Sequence, residues 1–125
     1  MGANAALIEQ LYEAFGRGDV PGVLAGLADD VVFSAPATLP HGGQFQGTAG
    51  AVQFFEGMGA AWDGLGLAVE GVGEVGEDLV VAVIRADGTL RGSGPSGYGA
   101  VHAFTIRDGL VTRFREYVDL DAPLR

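Results

Sequence analysis

At 125 residues and 48% apolar content, the chain is long enough for one domain with a real core, too short for two, and too apolar to be disordered. Sixteen acidic residues against seven basic ones, all arginine, give a formal net charge of −9. Nucleic acid and anionic membranes are bound by neutralising phosphates, so this balance argues against both as partners. Cysteine is absent, which removes disulfides and thiol chemistry. No apolar stretch reaches the roughly 18 residues needed to cross a bilayer, and no export signal is legible, so a soluble, cytoplasmic protein is expected. The 22 glycines follow no G-x-y period and point instead to short strands and tight turns.

In chain order, Leu7, Ile8, Leu11, Tyr12 and Phe15 fall on one helical face, with Glu9 and Glu13 opposite. A helix over Ala5–Phe15 follows, with Asn4 as its cap and Gly16 as its end. A second, short helix is predicted over Val20–Leu27, capped by Asp19 and carrying Pro21 in its first turn, where a missing N–H costs nothing. Val31-Val32-Phe33 reads as a short strand ended by Pro36 and Pro40, and residues 36–47 read as a loop. Thr48 caps a third helix to about Trp62, with Val52, Phe55 and Met58 on one stripe and Phe54 beside it. Strands are then predicted over Leu65–Val75 and Leu79–Asp87, with Gly92-Ser93-Gly94-Pro95 a turn.

The most informative stretch is Val101–Asp119, two strands joined at Asp108-Gly109, a strong hairpin signal. Side chains alternate faces along a strand, so Phe114, Glu116 and Val118 share one face while Arg113, Arg115 and Tyr117 share the other. On the first arm His102 is in phase with Ala100, Phe104 and Ile106. A two-residue turn sets His102 opposite Arg115, whereas one extra residue, assigned to a left-handed bulge at Gly109, sets it opposite Glu116. With the apolar face inward, a carboxylate then meets an imidazole inside the protein. Helices first and a sheet afterwards indicate a single α+β domain over residues 1–125, whose antiparallel sheet buries one face against the N-terminal helices.

The segments LYEAFGRGD, ADDVVF, FQGTAGAVQFF and VHAFTIRDGLVTRFREYVD together resemble the SnoaL-like branch of the nuclear transport factor 2-like superfamily, over nearly the whole chain. That branch includes relatives of polyketide cyclases, ketosteroid isomerases and limonene-epoxide hydrolases. The resemblance implies a cone of curved sheet closed by helices, an internal pocket, and homodimers formed through the outer face of the sheet. Fold membership alone gives no reaction.

On this resemblance Glu116 matches the position of a catalytic aspartate in the cyclases and epoxide hydrolases, one methylene longer here. A carboxylate facing an apolar cavity is in any case a usable acid or base near neutral pH. His102 is similar to a histidine of the cyclase branch that sits beside the acid. Arg85 and Asp87 form R-x-D, which in the epoxide hydrolases lets an arginine bridge two carboxylates, although Asp87-Gly88 reads equally as a turn. Where the hydrolases hold water with a tyrosine and an asparagine, this chain has Phe33-Ser34-Ala35. Tyr12 lies near an isomerase's oxyanion-hole tyrosine, but no carboxylate occupies Ala35–Leu39, where that enzyme's base would be. Tyr12, Phe33, Phe54, Met58, Trp62, Tyr98 and Phe114 are candidates to line a pocket or fill the core.

His41 is the only second histidine and lies in a loop without ligand spacing, so neither metal nor cofactor is expected. Three functions compete: a cofactor-independent acid–base enzyme on a hydrophobic oxygenated small molecule, an epoxide hydrolase, and a non-catalytic carrier of a hydrophobic ligand.

Overall fold

Asp108 and Gly109 both take positive φ, 54° and 78°, which closes a two-residue hairpin turn between strands paired Arg107 to Leu110. The extra residue expected at Gly109 sits instead at Thr112. The register steps from Ile106–Val111 to Thr105–Arg113, and the Thr112 hydroxyl donates to the Thr105 carbonyl oxygen at 3.2 Å. This bulge produces the pairing of His102 with Glu116. The computed structural model describes residues 2–118, so Asp119, the expected end of the hairpin, lies outside them.

The elements are α1 (Ala3–Gly16), α2 (Val20–Leu24), β1 (Leu27–Ala35), β2 (Gly43–Gln46), α3 (Gly47–Ala61), β3 (Trp62–Val75), β4 (Leu79–Leu90), β5 (Gly94–Arg107) and β6 (Leu110–Val118). One six-stranded sheet runs β2-β1-β6-β5-β4-β3. It is antiparallel throughout except for the β1–β6 pair, which is parallel because β1 precedes the helical crossover and the meander returns beside it. The expectation of a purely antiparallel sheet is corrected there. Asp87-Gly88 is not a turn: both residues lie inside β4, and Asp87 pairs with Gly66 and Gly97.

Helix α1 buries Ala5, Ile8, Leu11 and Ala14, a spacing of three that puts one face on the sheet, where it packs along β3 and β4. Asn4 does not cap it. The Glu74 carboxylate on β3 accepts from the Ala5 N–H, which has no partner within the helix, at 2.9 Å, and Asn4 instead donates to the Glu77 carbonyl oxygen. Asp19 caps α2 as expected, accepting from the Gly22 N–H at 3.0 Å. Helix α2 ends at Leu24 because Leu27 already belongs to β1. Helix α3 covers β1, β2 and the start of β3, so the helices close the concave side of the sheet around an aromatic core. No helix among the described residues is long and apolar enough to cross a membrane.

Candidate active site

The concave face of the β5–β6 hairpin holds three buried titratable side chains in contact: Glu116, His102 and His41 are 4%, 5% and 1% exposed. Glu116 and His102 come from the cross-strand pair set by the Thr112 bulge, and His102 Nε2 lies 2.9 Å from Glu116 Oε2. The other ring nitrogen, Nδ1, is 2.6 Å from the Tyr12 hydroxyl on α1. With Glu116 as a carboxylate, Nε2–H donates to it, Nδ1 of the neutral ring is an acceptor, and the Tyr12 O–H donates to Nδ1. A phenol, an imidazole and a carboxylate thus form one directed chain of hydrogen bonds through three elements, α1, β5 and β6, with Tyr12 and His102 separated by 90 positions.

Glu116 has a second neighbour. His41 Nε2 faces the opposite carboxylate oxygen, Oε1, at 3.9 Å, and His41 Nδ1 accepts from the Trp62 indole N–H at 3.2 Å. The loop carrying His41 is folded inward by two successive turns, Leu39 N–H to Pro36 O and Gly42 N–H to Leu39 O, both 3.0 Å. Gly42 is required there, since a Cβ would run into the Pro36 carbonyl oxygen. Leu39 and His41 are buried while Pro40 between them is exposed. Residues 36–47 are thus not a plain loop: His41, which has no metal-ligand spacing in the sequence, turns inward, and Gly43–Gln46 forms β2.

A half-open pocket of about 70 Å³ reaches Tyr12, His102 and Glu116. Of the expected lining residues, Tyr12, Phe33, Phe54, Met58, Tyr98 and Phe114 are on its wall. Trp62 is not; it borders a second hollow of about 270 Å³ on the side of α2 and the α3 C-terminus. The two hollows share Phe15, Val23, Phe55 and Met58, which form the partition between them. Phe15, Phe55 and Phe104 line the pocket as well; in the sequence Phe15 and Phe55 stand out only as members of helical stripes.

Arg85 and Asp87 do not join this site. On β4 the inward residues are Ala82, Ile84 and Ala86, in register with His102, Ala100 and Tyr98, so Arg85 and Asp87 occupy the outer face. Their side chains are 44% and 68% exposed and face each other at 3.8 Å. Phe33 and Ala35 supply no polar atom near Glu116; Phe33 packs on Phe114 with ring centroids 4.9 Å apart. Among the described residues no group of three His, Asp or Glu side chains is arranged to hold a metal ion.

Burial, reinforced by the Glu116 charge, pushes both Tyr12 and Tyr98 far above their ordinary value of 10.0. A folded-state value raised above the unfolded one stabilises the fold fully below pH 10 and loses that stabilisation as pH rises beyond it. Absorbance at 295 nm is therefore expected to show the Tyr12 and Tyr98 phenolates only together with unfolding, followed in parallel by circular dichroism. Their ionisation in a still-folded protein at pH 11 would contradict the burial seen here.

The sequence model of the SnoaL-like domain matches residues 8–114. No match was found among curated proteins. Among solved structures the chain is similar to an NTF2-like protein of unknown function from Burkholderia pseudomallei, with 27% identity and a TM-score of 0.87 over 95% of this chain and 92% of that one. It is also similar to TerC co-crystallised with polyporic acid, with 29% identity and a TM-score of 0.85 over 94% and 92%. A computationally designed 17-OHP binder shares 25% identity with a TM-score of 0.79, over 99% of this chain and all of that one. The fold is thus the curled-sheet cone of the NTF2-like proteins.

Proposed function

Because this chain belongs to the SnoaL-like domain family, we propose that it is a cofactor-independent acid–base enzyme acting on a hydrophobic, oxygenated small molecule, with Glu116 as the group that exchanges the proton. The observation that carries this reading is the buried Tyr12–His102–Glu116 chain opening onto an otherwise apolar cavity. His102 holds Oε2, so Oε1 is the oxygen available to take a proton from an acidic C–H or O–H of the ligand. Tyr12 and His102 orient the carboxylate, and the surrounding phenylalanines exclude water, which strengthens each electrostatic contact.

The lining supports this class of ligand, with aromatic rings for an apolar body and Tyr12, Tyr98, His102 and Glu116 as partners for oxygen atoms. Two of the neighbours are described with small-molecule ligands, polyporic acid and 17-OHP, which supports a ligand of this kind. The inner cavity is well below the roughly 300 Å³ of ordinary ligand sites, so the ligand must displace Phe55 and Met58 and occupy both hollows. Epoxide hydrolysis loses its supporting arginine, because Arg85 faces away from Glu116.

Deuterium exchange tests the reading even where the natural product of the reaction is unidentified. Enolisable bicyclic and tricyclic ketones, β-tetralone first, are incubated with the protein in D₂O and followed by mass spectrometry. Binding is monitored in parallel through Trp62, the single tryptophan, which borders the outer hollow. Ketones that bind are expected to gain deuterium faster than in buffer. Binding without accelerated exchange across the panel would favour the second reading, a non-catalytic carrier, for which the largely apolar lining and the designed binder are the supporting observations.

Two copies are proposed to pair through the outer face of the sheet. Val83, Val101 and Tyr117 are register partners in one row across β4, β5 and β6, and all three are exposed. Sedimentation velocity is expected to show a dimer that Val101→Asp converts to monomer; a monomeric wild-type protein at micromolar concentration would refute the pairing.

A further inference from the structure

The Tyr12–His102–Glu116 chain leaves one buried polar atom on the concave face without a partner. Among the described residues, no hydrogen-bond donor or acceptor reaches His41 Nε2. An imidazole nitrogen 3.9 Å from a carboxylate oxygen is beyond hydrogen-bond range, yet it is aimed at the oxygen that His102 does not use. The other nitrogen settles the protonation state. Indole Nε1–H can only donate, so His41 Nδ1 accepts, and in the neutral ring the proton must reside on Nε2. An imidazolium would set N–H against N–H at Trp62.

We propose that His41 is a positioning residue for Glu116: Trp62 locks it as the Nε2–H tautomer, and its N–H faces Glu116 Oε1 from behind the cavity. This inference rests on the proton-transfer reading above and goes beyond it by assigning the second carboxylate oxygen. The cavity wall includes His102 and Glu116 but not His41, so His41 acts through Glu116 and does not touch the ligand. Burial independently keeps His41 neutral, pushing it below its ordinary value of 6.5; the Glu116 charge opposes this and the nearby His102 adds to it.

The chemical consequence follows from geometry. A carboxylate flanked by N–H donors on both oxygens is favoured as the anion. A movement of about 1 Å makes the His41 contact a full hydrogen bond, a tightening commonly seen when a catalytic site fills. His41 therefore stabilises the base before proton transfer. It loosens when Oε1 takes the proton, because a donor then faces a donor. The other titratable groups around Glu116 are Tyr12 from α1 and Tyr98 and His102 from β5, all on the cavity side.

The chain has only two histidines, so nitrogen-15 NMR of the imidazoles resolves both without ambiguity. At neutral pH His41 is expected to show a protonated Nε2 and an unprotonated Nδ1, and Trp62→Phe is expected to release it into a mixture of tautomers. A doubly protonated His41, or the Nδ1–H tautomer, would overturn the assignment. In the exchange assay, His41→Phe is expected to move the acid limb of the pH profile up by about one unit, a roughly tenfold loss on that limb. KM is expected to change little, and His41→Gln, which keeps a donor near the Nε2 position, should restore most of the loss.

An unmoved acid limb in a folded His41→Phe protein would overturn the proposal. If that variant does not fold, the wild-type tautomer and Trp62→Phe decide it. The NMR readout needs no substrate, so a wild-type protein that fails to exchange would sink the proton-transfer reading while leaving the place of His41 to be decided on its own.

Discussion

Glu116→Gln is expected to slow deuterium exchange into a bound ketone by about 10²- to 10⁴-fold, the range for loss of a positioned acid or base, while ligand affinity stays within a few-fold. Glutamine keeps the shape of glutamate, and its amide oxygen can still accept from His102 Nε2–H, so the Tyr12–His102 part of the chain survives. What disappears is the ability to take up a proton at Oε1. The contrast between rate and affinity makes the experiment decisive, because a packing role for Glu116 would alter both or neither. Should exchange persist within a few-fold in a variant that binds the same ketone, the proton is handled elsewhere. Tyr12 and Tyr98, the other hydroxyl groups on the wall, would then be the residues to test.

Phe54→Ala is expected to have the largest effect on stability, about 3–5 kcal/mol. On a domain stabilised by about 5–15 kcal/mol this lowers Tm by about 10–20 °C, measurable by calorimetry. Phe54 is buried and sits where four parts of the fold meet. Its ring centroid lies 5.2 Å from Phe33 on β1, 5.6 Å from both Phe45 on β2 and His41, and 6.1 Å from Phe114 on β6. Removing it opens a hole that side chains from different elements cannot fill together, which is the costly case for a large-to-small change. Phe55, next in sequence and half-buried at the partition, is a natural control. Phe55→Ala is expected to cost about half as much and to join the two hollows. Equal costs for the two variants would mean that Phe54 is not the junction described.

What the sequence by itself determined is local in origin. Period-3.6 spacing placed α1 and α3, Asp19 and Pro21 placed the start of α2, and Asp108-Gly109 placed the hairpin turn, since each depends on the stereochemistry of neighbouring residues. Strand parity put Glu116 on the apolar face, and the resemblance carried by the same segments led to the right family.

Tertiary structure decided the rest. Two registers were open to His102, and the correct one came from a bulge at Thr112 that no turn rule marks, because a bulge can be accommodated at many points along a strand pair. On β4, Val81 and Val83 make one face as apolar as Ala82 and Ile84 make the other, so alternation could not say which way Arg85 and Asp87 point; pairing of Ala82 with His102 did. Tyr12 and His41 reach the hairpin from 90 and 75 positions away along the chain. Such contacts depend on how loops close over the whole fold, and local periodicity carries no information about that. The inward place of Glu116 and a candidate pairing with His102 could therefore be read from the strands, whereas the approach of Tyr12 and His41 could be read only from the folded chain.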